Sequence, residues 1–271
     1  MNIALSTPPL HEVYALKYAR HERRAGVNFL GGDPRDEPMP MDYFIWAIRG
    51  PAGWWVVDTG FGASGAQSRN RQLLRTPAQA LAELEITASN VENVILTHLH
   101  YDHAGTCEDF TAATFHVQDR EMQYATGRYM GHRCLHEAYS VFDVVRLVQT
   151  VYASRVRFHD GDAQLAPGLS VHLIGGHTMG LQVVRVHTAR GWVVLASDAS
   201  HYFRNIEERR PFPIVYSVGE MVEGWRRIEE LADSSDHVIP GHDPRVLEMY
   251  PSPEPRLDGI VAVLHCHPRR G

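Results

Sequence analysis

Cysteine is scarce in this chain. Its three residues, Cys107, Cys134 and Cys266, are odd in number and widely spaced, which argues against a disulfide framework and makes a reducing cytoplasm the expected location. Long apolar runs are also missing: no stretch reaches the roughly 18 apolar residues of a membrane span. Residues 1–26, "MNIALSTPPLHEVYALKYARHERRAG", scatter charges where a secretory signal needs an apolar core. An excess of one charge is absent as well. The 26 Lys and Arg residues face 32 Asp and Glu residues, giving a net charge of −6, so no nucleic-acid footprint is expected, and the two arginines of the tail "HPRRG" do not make one. No Gly, Pro or Ser-rich linker divides the chain, which reads as one domain over 1–271.

Histidine is plentiful, at 17 residues. The segment "LTHLHYDHAG", 96–105, gathers His98, His100, Asp102 and His103 behind an apolar run. Around it, "YFIWAIRG" and "GWWVVDTG" read as a hairpin, "TPAQALAELEI" as a helix with Thr76 as cap, and "VENVILTH" as a short buried strand. Residues 118–152 read as mainly helical. "LSVHLIGGH", "LQVVRVHTARGWVVLASD" and "DHVIPGH" return to strand character, and 218–236 has helical periodicity. Sheets buried under outer helices, an α/β layered fold, follow from this order.

Four titratable groups within six residues repel or desolvate one another unless a cation joins them. If 98–100 is extended and a turn follows, His98 and His100 share one side while Asp102 and His103 swing toward a second point. Imidazole and carboxylate donors suit zinc, and also iron, manganese or cobalt. Such sites need further ligands, and three later strands each end in one candidate: His177, Asp198 and His242. Taken alone, each of these is more commonly a structural residue than a ligand.

"THLHYDHAG", "GGHTMG", "ASDAS" and "PGHD", preceded by "VVDTG" at 56–60, resemble in order and content the motif series of the metallo-β-lactamase superfamily over about residues 43–243. The resemblance implies an αββα four-layer sandwich with two divalent metal ions, zinc foremost, at one edge of the paired sheets. It implies that His98, His100 and His177 hold one ion, that Asp102, His103 and His242 hold the other, and that Asp198 bridges them. Asp58 either orients a ligand or is an ordinary turn residue. Two cations sharing one water make hydroxide available near neutral pH, and Asp102 is placed to pass a proton to the leaving group. The expected reaction is hydrolysis of a small molecule, with no nucleic-acid or membrane partner and the oligomeric state open.

Within the superfamily the layout most resembles the N-acyl homoserine lactonase branch, because 29 residues follow His242 where thioesterases of the glyoxalase-II type carry a helical extension. The expected function is opening of an N-acyl homoserine lactone ring, of the quorum-quenching type. The alternatives are a thioester or amide hydrolase of the same fold, or a mononuclear-iron oxidoreductase. That branch has a Tyr three residues past the bridging Asp, touching the lactone carbonyl. Here His201 stands there and Tyr202 one further on, so Tyr202 is either the catalytic contact or a packing residue, and His201 and Phe212 are candidate substrate contacts. Met122, Tyr124, Tyr129 and Met130 either line an acyl groove or pack a helix. Cys107 and His116 are expected to be structural, and "HCHP" at 265–268 to be tail.

Overall fold

The computed structural model describes residues 7–269. The first six residues of the amino-terminal stretch, and Arg270 and Gly271 of the tail, lie outside it. The strands are β1 (Glu12–His21), β2 (Met41–Gly50), β3 (Gly53–Val57), β4 (Gln72–Leu73), β5 (Asn93–Ile95), β6 (Thr114–Gln118), β7 (Val156–His159), β8 (Ala163–Ala166), β9 (Leu169–Leu173), β10 (Gln182–Thr188), β11 (Gly191–Ser197), β12 (Val238–Pro240) and β13 (Val261–Val263). An eight-stranded sheet runs β13-β1-β2-β3-β5-β6-β7 with β4 beside β1, and a five-stranded sheet runs β12-β11-β10-β9-β8. The pairs β3–β5, β5–β6, β6–β7 and β11–β12 are parallel and the rest antiparallel.

Strand alternation builds the layers. On β2, Phe44, Trp46 and Ile48 point between the sheets, where they meet Val171, Val184, Val186, Val193 and Leu195 of the second sheet. Tyr43, Ile45 and Ala47 point the other way, under the helix Pro77–Ala82 and the helix Val141–Tyr152. Beyond the second sheet, Met221, Trp225 and Ile228 of the helix Val218–Leu231 cover Leu181, Val183 and Val194. Three apolar layers between four of structure make this an αββα sandwich. Thr76 and Gln79 form a reciprocal capping box, with Pro77 as the first helical residue.

Several expected boundaries change. The helix expected over 76–86 ends at Ala82, and the strand expected over 91–98 shrinks to Asn93–Ile95. Residues 119–125, 128–131, 133–136 and 141–152 form short helical pieces between β6 and β7. The strands β1, β4, β6, β7, β8 and β13 have no counterpart in the sequence reading. Among the described residues no helix is long and apolar enough to cross a membrane.

Candidate metal centre

The donors collect where strands of both sheets end. After β3 the chain turns at Asp58, whose φ of 62° is left-handed and tolerable for a short polar residue. That turn aims its carboxylate at the loop after β5. Asp58 Oδ1 accepts from the Thr97 amide at 2.7 Å, and Oδ2 accepts from Thr97 Oγ1 at 2.9 Å and His103 Nδ1 at 2.7 Å. The backbone is extended at His100, and a single helical turn, Tyr101–Ala104, then brings Asp102 and His103 round.

Two groups of donors result. His98 Nε2 and His177 Nε2 each lie 3.0 Å from His100 Nδ1, and 3.7 and 3.2 Å from Asp198 Oδ2. His103 Nε2 and His242 Nε2 lie 3.3 and 2.9 Å from the other oxygen, Asp198 Oδ1, and both are 3.8 Å from Asp102 Oδ2. All seven residues are buried. Asp198 therefore faces one group with each oxygen.

Glycine makes the approach possible. A Cβ on Gly241 would fall 2.8 Å from the Ser197 carbonyl and 2.9 Å from Asp198 Oδ1. Gly176, at a φ of 83°, leaves no room for one against Met221.

The ring orientations are fixed from behind. His177 Nδ1 donates to the Ile214 carbonyl at 2.7 Å and His242 Nδ1 to the Asp42 carbonyl at 2.9 Å, which leaves each Nε2 as a bare acceptor. His103 Nε2, His242 Nε2 and Asp198 Oδ1 are buried without a hydrogen-bond partner among the described residues. Such orphaned nitrogen and oxygen atoms, converging beside buried carboxylates, fit cations and nothing apolar. Burial, then the neighbouring imidazoles, pushes His98 well below its usual pKa, and burial with His177 does the same to His100. Burial also opposes charge on His103, but Asp198, Asp58 and Asp102 outweigh it and hold that ring well above its usual value. Asp198 is depressed well below the carboxylate range despite burial, because His201, His242, His103 and His177 surround it.

His201 joins the cluster: its Nε2 is 3.0 Å from Asp198 Oδ2, and its ring stacks on Phe212 with centroids 3.7 Å apart. Both line a cleft of about 230 Å³ that opens onto His100, Asp102, His177, Asp198 and His242. Tyr202 does not. It is fully buried, its hydroxyl meeting Asn28 Nδ2 at 3.0 Å and the Met39 carbonyl at 3.5 Å, because the chain after His201 turns inward to start the helix Phe203–Glu207. Tyr124 and Tyr129 pack with Tyr216 in the outer core, away from the cleft.

Cys107 is buried against Thr59 and the Ala104 carbonyl, and burial pushes its thiol up to about 12. His116 bonds His159 and Asn93, and His265 bonds the Val13 amide. These are structural contacts.

Sequence reasoning missed Glu121. Fully buried, its carboxylate accepts from the amides of Leu99 and Gly180 and from the hydroxyls of Tyr139 and Thr178. It ties the loop carrying His98 and His100 to the loop carrying His177. An acid inside the polar pattern "QDREMQ" gives no local sign of burial.

Comparison with known proteins agrees with this geometry. The metallo-beta-lactamase superfamily model matches residues 40–254. A protein of Mycobacterium tuberculosis named "Probable metallo-hydrolase" is 26% identical over 225 residues, covering 72% of this chain and 69% of its own. An N-acyl homoserine lactonase of Bacillus thuringiensis is 32% identical over 155 residues, 55% of either chain. The crystal structure of a quorum-quenching N-acyl homoserine lactone lactonase superposes with a TM-score of 0.71 at 22% identity, covering 87% of this chain and 93% of the other. The chain belongs to the metallo-beta-lactamase superfamily and is built as a metal-dependent hydrolase of that superfamily.

Proposed function

We propose that this hydrolase opens lactone rings, with N-acyl homoserine lactones as the substrate class. The observation that carries the reading is the pair of complete donor groups facing opposite oxygens of Asp198 at the floor of one cleft. The partial relationship to a lactonase gives the substrate class its support.

His98, His100 and His177 would hold one divalent cation and Asp102, His103 and His242 the other, with Asp198 shared and zinc the first choice for this nitrogen-rich set. When bound, such a pair supplies Lewis acidity and lowers the pKa of water toward neutrality. The protein's own part is positioning. Asp58 fixes the His103 ring, and the carbonyls of Ile214 and Asp42 fix His177 and His242. Asp102 lines the cleft and is the group to hold a proton at Oδ and pass it to the departing ring oxygen. The acyl C–O bond breaks, water adds across it, and a carboxylate, an alcohol and a released proton result. His201 and Phe212 form a flat wall against which the ring is oriented.

We take the chain as one domain whose helical segment between β6 and β7 supplies another wall, through Cys134, Leu135 and Ala138. Unpaired Cys107, Cys134 and Cys266 support a reducing compartment.

The test is proton release in weak buffer from short- and long-chain N-acyl homoserine lactones, with metal content measured in parallel. The parent should acidify the medium and Asp102→Asn should not. An inert parent that holds two ions per chain would overturn the lactone reading and turn attention to thioesters and amides.

A further inference from the structure

The cleft has a second chemical character, set by arginine. Arg23, Arg69 and Arg71 line it together with the donor cluster, Arg23 coming from a part of the sequence far from the neighbouring pair Arg69 and Arg71. All three are half-buried. Among the described residues, none has a carboxylate within ion-pair distance, whereas Arg20, Arg24, Arg204, Arg209, Arg210 and Arg227 elsewhere each have one.

Their hydrogen bonds run to neutral acceptors. Arg23 Nε donates to Asn28 Oδ1 at 2.6 Å and Nη2 to the Val27 carbonyl at 2.7 Å. Arg69 donates to the carbonyls of Glu137 and Tyr139 at 2.8 and 3.0 Å and lies 3.9 Å over the Tyr101 ring. Arg71 Nε meets the Tyr101 hydroxyl at 3.1 Å, Nη1 is 3.3 Å from His21 Nε2, and Nη1 also reaches the Arg69 carbonyl. These contacts hold the guanidinium groups in place and leave their charge uncompensated.

The acids nearby do not neutralise them. Glu137 is an exposed residue of the cleft wall whose carbonyl, not carboxylate, meets Arg69. Asp102, beside Arg71, belongs to the donor cluster, and Asp143 feels Arg69 only from beyond ion-pair distance. His21 reports the local field: burial first, then Arg71 and Arg23, push its ring down to about 4. A positive patch on a chain of net charge −6 draws anions to one place. Guanidinium forks match carboxylate and phosphate oxygens in particular.

We propose that the natural substrate carries an anionic oxygen group, carboxylate or phosphate, that docks on Arg23, Arg69 and Arg71 while its lactone carbonyl lies at the donor cluster. The proposal rests on the ring-opening reading and narrows it from neutral acyl lactones to anionic ones.

The experiment uses the metal-replete enzyme and matched pairs: N-malonyl, N-succinyl and N-glutaryl homoserine lactone, each beside its methyl ester, with a phosphonate analogue of the succinyl compound. The best anionic member should exceed its ester in kcat/KM by about tenfold or more, mainly through KM, and the advantage should shrink as salt is raised. In the Arg69→Gln/Arg71→Gln double variant the ratio should fall toward one, and Arg69→Lys/Arg71→Lys should recover part of it, with circular dichroism and metal content verifying the fold of each. Carboxylate against phosphonate then identifies the source of the charge. Equal or better turnover of the esters by the parent would overturn this proposal and leave ring opening intact. If no lactone turns over, ring opening falls, and calorimetric binding of the same pairs decides the anion site. Tighter binding of the anion that the glutamine variant loses supports the site, and equal binding of acid and ester overturns it.

Discussion

Asp58 and Glu121 are both fully buried acids beside the donor cluster, and burial raises both carboxyls above their usual range. They act at different levels. Asp58 touches a donor ring directly, through His103 Nδ1, and so sets the basicity and angle of one nitrogen. Glu121 touches no donor; it joins the main chains of two loops, at Leu99 and Gly180. In the mixed group of Asp102, His103 and His242, one ring is thus oriented by a carboxylate. In the all-histidine group of His98, His100 and His177, the buried acid acts on the loops, and a main-chain carbonyl orients His177. A buried charge can serve a metal site either as an electronic partner or as a splice between backbone segments, and the two should fail differently.

Asp198 belongs to both groups, so its loss should erase the comparison. Asp198→Asn is expected to lower turnover by at least about 10³-fold and to leave fewer than two metal ions per chain by elemental analysis. Full metal content in that variant would mean the two groups stand without a shared oxygen. Asp58→Asn keeps a side chain that accepts the left-handed φ and should weaken one cation only, by about 10 to 100-fold in chelator competition. Uniform weakening of both cations would refute a role confined to His103.

Glu121→Gln should do the reverse. It sets an amide group against four donors, and urea denaturation should show a loss of about 1–3 kcal/mol with both cations retained at saturating metal. If it instead copied the chelator profile of Asp58→Asn at unchanged stability, the distinction would collapse.

The smallest effect sharpens the contrast between His103 and a histidine without a carboxylate. Burial, then His159 and Arg157, holds His116 down at about 4. The unfolded chain takes up this proton near 6.5 and the folded chain resists it, so the stability concerned is present above that pH and is lost as pH falls toward 4. His116→Gln should flatten the stability difference between pH 7.5 and pH 5 by at most about 2 kcal/mol. An unchanged slope would remove His116 as the cause.

The donors carry local signatures, glycines included: His177, Asp198 and His242 follow strands, and His98, His100, Asp102 and His103 stand together in the loop and helical turn after β5. The layers followed from the long runs of β2, β10 and β11. The strand β1 was hidden because a register shift between Lys17 and Ala19 breaks its alternation, and because half-buried Lys17 pairs with buried Asp42. The strands β6 and β7 are short and flank the stretch 118–152 that reads as helical, where no long apolar run marks them. Tyr202 shows the limit of motif offsets: one residue of displacement turned a side chain from the cleft into the core. The three cleft arginines carry no joint sequence signal, since only folding brings residue 23 near residues 69 and 71.

The seating of His242 has a consequence for the order of synthesis. It follows β12, which joins the second sheet by pairing in parallel with β11. A chain growing from its amino terminus exposes "HLHYDH" long before Asp198, and Asp198 before His242. The last strand to dock beside β11 thus completes the cage, and a cation that binds only the finished cage stabilises the folded chain by mass action. Metal supply during growth would then act as a late checkpoint on maturation, one that separates chains that have merely collapsed from those that have closed.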